Sequence, residues 1–354
     1  MKILVINPGG SSTKIAVFEE EKELFNRNIS HTGEELRKYP GIFDQFSFRK
    51  EWIQRVLAEE GHDIRELDAV VGRGGLMREI QGGTYIIDDQ MIEDLKAAIR
   101  GEHAANLGAP LADAMAKEIG KPSFVVDPVS VDEFQEISRI TGIKDLRYSS
   151  WLHSLNHKAV ARKAAAAMGG RYEDFNFIIA HLGSGISIVP HCRGRMIDGS
   201  GGRTNGPFSS DRSGGLPAYA LIELCYSGKY SHKEMVDKVS SFGGFYDYLG
   251  TKDLLEVERR IDGGDQEVAL VMEAFIYQIS KEIASYGAAL MGEVDRIILT
   301  GGIAHSQRVT LGVEKRVKYL APVHVEAGEM EMEAMALGVL RVLRGEERPK
   351  VYGA

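Results

Sequence analysis

At 354 residues the chain is longer than one hydrophobic core usually serves, so two domains of roughly 150–200 residues are expected. Its 44% hydrophobic and 27% charged content is that of a globular protein, no apolar run reaches the ~18 residues of a membrane span, and a net charge of -8 argues against nucleic acid as the main partner. The opening run Ile3-Leu4-Val5-Ile6 is too short for an export signal, and Cys192 and Cys225 sit in no CxxC or metal-spaced set, so a cytoplasmic chain with reduced thiols and no membrane partner is expected.

In chain order, apolar periodicity predicts strands over 3–6, 15–18 and 24–29, joined by short turns as an antiparallel triplet. A helix follows whose apolar face is Trp52, Ile53, Val56 and Leu57, ending at Gly61, then a strand over 69–71, a helix over 111–119 and a strand over 124–126. A domain boundary is placed near residue 130, dividing the chain into a lobe over 1–129, completed by a C-terminal helix over 331–354, and a lobe over 130–330. The second lobe opens with an alanine-rich helix over 156–168. The triplet pattern then recurs as strands over 177–180 and 186–189, a turn at Arg193-Gly194-Arg195, and Met196-Ile197. A long helix over 266–291 feeds a strand over 296–299. Asn7 and His181, at matching points of the two triplets, lie about half the chain apart, the mark of an internal duplication. Alternating strands and helices make the class α/β, with two lobes packed around a cleft.

Three glycine elements sit at strand ends. The loop Asn7-Pro8-Gly9-Gly10-Ser11-Ser12-Thr13-Lys14 joins two strands and is not the GxxxxGK[ST] loop that joins a strand to a helix. Its glycines let the backbone approach a polyphosphate, its three hydroxyls and Lys14 offer donors, and Asn7 can fix a metal's water; a plain hairpin turn is the bland alternative. The loop His181-Leu182-Gly183-Ser184-Gly185 is weak alone and gains meaning from occupying the same place in the second triplet. A third, Gly301-Gly302-Ile303, ends a strand and is expected to open a helix, where it could admit a ribose or α-phosphate.

These three elements on duplicated strand triplets resemble the superfamily of acetate and sugar kinases, heat-shock ATPases and actin. Together with His153 and His157 in Leu152-His153-Ser154-Leu155-Asn156-His157 and with Asp211-Arg212-Ser213-Gly214, they resemble the acetokinase family nearly end to end. The blocks Val71-Gly72-Arg73-Gly74-Gly75-Leu76 and Gly101-Glu102-His103-Ala104-Ala105-Asn106-Leu107-Gly108, with the closing segment over 329–337, are similar to its butyrate-type branch rather than its acetate-type branch. The resemblance implies duplicated actin-like, ribonuclease H-like domains, each a mixed sheet flanked by helices. It implies reversible transfer of the γ-phosphoryl group of ATP to a short-chain fatty acid, with ATP/ADP and Mg2+ as cofactors and a homo-oligomeric state. A carboxylate is already ionised at neutral pH and needs no general base; its difficulty is repulsion from ATP. The resemblance assigns Arg73 and Arg212 to the acyl substrate and the migrating phosphoryl group, His153 to the transition state, His181 to the terminal phosphates and Asp127 to the phosphoryl site. Magnesium is expected at Asn7 and Glu331, with Glu329 and Glu333 as alternatives.

Two departures from the acetate-type pattern stand out. Gly10 replaces a usual serine, and the surroundings of Arg73 are glycine-rich, which predicts a roomier acyl pocket with Leu152, Pro207 and Phe208 as walls. An acetate or propionate kinase and, from another class, a nucleotide-switched binding protein of the actin type are the competing readings.

Overall fold

The computed structural model describes residues 1–201 and 205–353, which fall into two compact units. The first holds Met1–Asp132, Ser154–Asn156 and the chain from Met330 onward; the second holds Glu133–His153 and His157–Glu329.

In the first unit β1 (Lys2–Pro8), β2 (Ser12–Glu19) and β3 (Lys22–Ser30) form an antiparallel meander. β4 (Ala69–Gly72) runs parallel to β1, and β5 (Thr84–Ile86) pairs antiparallel with β6 (Ser123–Val126), itself parallel to β4, giving the order β3-β2-β1-β4-β6-β5. The run Ile3, Leu4, Val5, Ile6 is wholly buried, as a strand covered on both faces requires. Leu4 and Ile6 pack with Ile53 and Leu57 of helix Phe46–Glu59 and with Leu111 and Met115 of helix Gly108–Glu118. Helix Glu331–Leu343 packs on β1, β4 and β6, with Gly338 against Val126.

The predicted helix over 331–354 therefore ends early. Gly345 takes a left-handed φ of 75°, and the chain runs on as an extended strap in which Lys350 pairs with β5, donating its N–H to Thr84 O (2.8 Å) and accepting from Ile86 N (3.0 Å).

The second unit repeats the plan. β7 (Asn176–Leu182) and β8 (Ile186–Cys192) are antiparallel, with β9 (Arg195–Met196) and β10 (Ser200–Gly201) on the far edge of β8. β11 (Arg296–Gly301) is parallel to β7, and β12 (Val323–Ala327) is parallel to β11. Helix Gln266–Ala289, capped by the Asp265 side chain accepting from Val268 N, sends Val268, Met272, Phe275, Ile279 and Ile283 into the core. No helix among the described residues is long and apolar enough to cross a membrane. Helices Ala218–Tyr226, His232–Ser240, Gly244–Leu249 and Leu254–Asp262 are not predicted from periodicity; the first buries no residue at all, so its apolar pattern marks no inner face.

Helix Ser154–Ala167 begins earlier than the predicted 156, with His153 at its N-cap position, and its first turn clusters with the first unit.

Candidate active site

In the first unit, β1 ends just beyond Asn7, and Gly9, Gly10 and Ser11 form the bend before β2, closed by Gly9 N–H donating to Ser12 O (2.8 Å). Beneath it lies Arg49, fully buried on helix Phe46–Glu59. Its guanidinium donates to the carbonyls of Gly9 (2.9 Å), Ser12 (2.8 Å) and Gly10 (3.3 Å), and to Thr13 Oγ1 (2.9 Å), while Gln45 Oε1 holds its Nε and Nη2 (3.0 and 2.8 Å). Among the described residues no carboxylate pairs with Arg49, and burial lowers its pKa to about 10. In a trans peptide the N–H opposes the preceding C=O. Carbonyls of Gly9 and Gly10 turned to Arg49 therefore leave the N–H groups of Gly10 and Ser11 directed away from it, available to an anion.

Thr13 does not join them. It is fully buried, its Oγ1 accepts from Arg49 and lies 2.8 Å from His31 Nε2, so its own proton goes to that ring. Of the three hydroxyls expected to face a polyphosphate, Ser11 and Ser12 keep exposure, as does Lys14.

Arg73 follows β4 and anchors its N–H on Ile6 O (2.9 Å). Its Nη1 donates to Glu331 Oε1, and Asn7 Nδ2 donates to Glu331 Oε2 at 2.9 Å, so Asn7, Arg73 and Glu331 form one half-buried cluster. Glu331 opens the final helix, where the dipole favours a carboxylate. Of the alternatives, Glu333 is exposed and Glu329 belongs to the second unit. His103, a residue of the 101–108 block to which the sequence gives no role, stands by Arg73. Its Nδ1 accepts from Ala105 N (3.1 Å), and its pKa is pushed below the ordinary range by lost hydration and then by the Arg73 charge. Asp127 is buried with φ +37°, and its Oδ1 accepts from Gly83 N at 2.7 Å.

The glycines around Arg73 do not make room. A Cβ on Gly72 would lie 2.0 Å from Gly108 O, one on Gly74 2.2 Å from Pro128 Cβ, and one on Gly75 2.6 Å from Asn106 Cα. The Gly108 backbone, Pro128 with the Val125 side chain, and Asn106 fill the space a side chain would take, so these positions serve close packing and the roomier pocket inferred from them does not follow.

In the second unit the loop between β7 and β8 carries Gly183, Ser184 and Gly185, with Gly183 N–H on Gly185 O (3.2 Å). Ser184 O accepts from Ser209 Oγ (2.6 Å), which also accepts from Arg212 N (3.2 Å), while Ser209 N donates to Arg212 O (3.0 Å). This turn lays the guanidinium over Gly185. A Cβ there would meet Arg212 Nη1 at 2.7 Å and His153 Cε1 at 3.3 Å. Among the described residues the half-buried Arg212 side chain has no hydrogen bond or ion pair. The His153 ring stacks on that of His181 (4.0 Å, 15°), and His181 Nε2 lies 3.5 Å from Glu329 Oε1. Four of the expected residues, His153, His181, Gly185 and Arg212, thus come together in this unit.

Gly301 has φ +89°, and a Cβ on it would lie 2.4 Å from Leu182 O; its N–H and C=O pair with Gly328 at 3.0 Å each. The α-helix expected to open at Gly302 does not. A 3-10 turn, Gly302–His305, intervenes, and helix Gln307–Val317 is capped by Ser306. Gly302 is exposed and Ile303 buried. Phe208, expected as a pocket wall, lies in the core against Phe245 and Phe275, with ring centroids 5.7 and 5.5 Å away. Leu152 is buried beside Gly199, and Pro207 lines an apolar cavity of about 880 Å³ with Arg212 and Ile186. Cys192 and Cys225 are both free.

The second unit therefore offers an anion a guanidinium and stacked imidazoles, and the first offers backbone N–H groups with an amide, an arginine and a carboxylate. Solved chains with the same fold include an acetate kinase from Porphyromonas gingivalis (TM-score 0.80, 20% identity, 97% of this chain and 99% of that one) and a propionate kinase from Francisella tularensis (TM-score 0.73, 20% identity, 95% and 98%). At such identities the fold alone is shared: the duplicated actin-like, ribonuclease H-like α/β architecture of the acetate kinases. The sequence carries the comparison further. Residues 139–334 match the acetokinase family. Over 352 residues, 99% of each chain, the protein is 47% identical to butyrate kinase 1 of Clostridium acetobutylicum, and over the same span 45% identical to a probable butyrate kinase of Clostridium botulinum. The chain belongs to the acetokinase family.

Proposed function

We propose that the protein transfers the γ-phosphoryl group of ATP to the carboxylate of butyrate or a branched relative, reversibly, giving an acyl phosphate and ADP. A carboxylate oxygen forms the new bond to phosphorus as the bond to the β–γ bridging oxygen breaks, and no proton need be removed from the acid. The observation that carries the reaction class is the convergence of Arg212, His153 and Gly185, a cationic and hydrogen-bonding centre with no described carboxylate on Arg212. Positive charge preorganised for the equatorial oxygens is what a loose phosphoryl transition state requires. The choice of acid rests on the near full-length relatives named butyrate kinases.

In this reading Arg212 and the His153 ring hold the transferring group, and Arg73 receives the acid's carboxylate, exchanging the Glu331 oxygen it holds now. The N–H groups of Gly10 and Ser11, with Ser12 and Lys14, hold one part of the polyphosphate. The loop Gly183, Ser184 and Gly185 with His181 holds another, and Gly301, Gly302 and Ile303 receive the nucleoside side. Asp127 acts by fixing the Gly83 backbone.

The donor set suits magnesium: Asn7 offers an amide oxygen and Glu331 a carboxylate, and no cluster of three or more His, Cys, Asp or Glu side chains stands among the described residues. So small an all-oxygen set fits an ion that keeps several waters and leans on substrate phosphates. When bound, the ion would supply charge neutralisation on the phosphates.

The test is acyl phosphate formation, trapped as hydroxamate, with ATP, magnesium and straight and branched acids of two to five carbons. Highest kcat/KM at four carbons is expected. A maximum at acetate would overturn the butyrate assignment, and no acyl phosphate with any acid would overturn the reaction class.

A further inference from the structure

His153 is one end of a buried polar chain that runs through the second unit. Its Nδ1 lies 2.8 Å from Ser187 Oγ, and the same oxygen lies 2.8 Å from His157 Nε2. His157 Nδ1 is 3.4 Å from His191 Nε2, the longest link, and His191 Nδ1 is hydrogen-bonded to Tyr172 Oη. Ser187, His157 and His191 are completely buried and Tyr172 is nearly so. Burying two imidazoles and two hydroxyls is costly unless each is satisfied. An apolar core would hold this region at least as firmly, which suggests that the chain does something more specific.

A neutral imidazole has one N–H and one lone-pair nitrogen, and a serine hydroxyl has one proton. Among the described residues the Ser187 hydroxyl is hydrogen-bonded to the rings of His153 and His157 alone, so its proton goes to one and it accepts from the other. The hydrogen bonds then all run one way, and the sense at one end fixes the sense at the other. Both interior rings are neutral. Burial pushes His157 and His191 well below the ordinary histidine range, aided at His191 by the positive charges of Lys158 and Arg162. Those two cations also stand over the Tyr172 ring, 5.5 and 5.8 Å from its centroid. A phenol is the best donor in the chain and a poorer acceptor than an imidazole nitrogen, so Tyr172 donates to His191 Nδ1. His191 Nε2–H then faces His157 Nδ1, His157 Nε2–H faces Ser187 Oγ, and the Ser187 hydroxyl donates to His153 Nδ1. The His153 proton is left on Nε2.

We propose that Tyr172, His191, His157 and Ser187 are positioning residues that hold His153 in the Nε2–H tautomer, so that it meets a phosphoryl oxygen with a proton and never with a lone pair. No proton travels along the chain; its task is static. The inference rests on the reading of His153 as a donor to the transferring phosphoryl group.

Two measurements test it separately from that reading. In protein labelled with 15N-histidine, at a pH where the rings are neutral, long-range proton–nitrogen correlations report each tautomer, with signals assigned from His153→Gln, His157→Gln and His191→Gln. His153, His157 and His191 should all carry the proton on Nε2; Nδ1–H at any of the three overturns the chain whatever the enzyme catalyses. Kinetically, Tyr172→Phe, which removes one oxygen and keeps the packing, and Ser187→Ala should each lower kcat about 2- to 10-fold, with KM for ATP and acid little changed. Placed in the His153→Gln background, neither should lower kcat further, whereas a merely structural role would give the same loss in both backgrounds. Equal losses in the two backgrounds, or unchanged kcat in both variants, overturn the proposal. Near-normal kcat in His153→Gln alone would instead remove the reading of His153 on which it rests.

Discussion

Arg212 and Arg73 differ in what already holds them, and that difference separates their expected phenotypes. The Arg212 side chain lies over Gly185 beside His153, and among the described residues it is held only through its own backbone to Ser209. In the proposed reaction it meets the charge that develops during transfer, so Arg212→Ala should lower kcat about 10²–10³-fold, or about 3–4 kcal/mol, with a smaller change in KM for ATP. Steady-state kinetics with butyrate showing near-normal kcat would take Arg212 out of the catalytic set. Arg73 is held by Glu331, the carboxylate that Asn7 also holds, and stands by His103. Arg73→Ala should raise KM for the acid roughly 10- to 100-fold, as loss of a charge-assisted pair does, and raise KM for ATP less. If ATP affinity alone suffers, the two arginines have exchanged roles. In the sequence Arg73 stands between glycines and Arg212 in a Ser/Gly-rich loop, and only the family pattern set them apart from surface cations. What the pattern did not contain was the pairing of Arg73 with Glu331, a residue expected only at the metal. Glu331 lies 258 residues from Arg73 in the chain, a separation no local reading bridges.

At the scale of elements, the first glycine hairpin was legible because its composition is unusual between two strands. Arg49 was not, because in a helix read by periodicity an arginine between apolar positions reads as a solvated face. Its burial depends on the hairpin folding over it. The strut can be tested by comparing Arg49→Met with Arg49→Lys. Methionine fills similar volume and leaves three carbonyls and Thr13 Oγ1 without their donor, at a cost of roughly 2–4 kcal/mol. Lysine restores charge but cannot make the fork. Arg49→Met should lower Tm by several degrees and raise KM for ATP, and Arg49→Lys should recover more of the Tm than of the KM. A KM for ATP unchanged in a folded Arg49→Met protein would show that the hairpin keeps its shape without the strut. The glycines near Arg73 teach the opposite lesson. Their composition was visible, yet its meaning, close contact with Gly108, Pro128 and Asn106 in place of empty space, depends on elements that meet only in the folded unit.

For the whole molecule, the duplication was readable from two strand–glycine–strand passages in matching places, and both sheets follow it. The four helices between β10 and helix Gln266–Ala289 were not, since helix Ala218–Tyr226 has no buried side chain and His232–Ser240, Gly244–Leu249 and Leu254–Asp262 bury one each, Met235, Phe245 and Val257, too few to impose a period. Burial of histidines is likewise a property of the folded chain, and it sets how stability responds to acid. His31 is pushed to about 4 by burial and then by the Arg49 charge, and His157 and His191 are both held well below the ordinary range, chiefly by burial. Each has a folded pKa below its unfolded value of about 6.5. The unfolded chain therefore binds more protons as pH falls through 6.5, and the stability each neutral ring contributes is fully present above that pH and lost below it, for His31 down to about 4. The slope approaches about 1.4 kcal/mol per pH unit for each such histidine. Urea midpoints measured between pH 7.5 and 5, above the range where most carboxylates titrate, should fall steadily with acidification. In His31→Gln, which can still accept from Thr13, the fall should be shallower by one histidine's share. A midpoint that stays level from pH 7.5 to 5 in the unaltered protein would mean that these rings take up protons without unfolding, and that water reaches them in the native state.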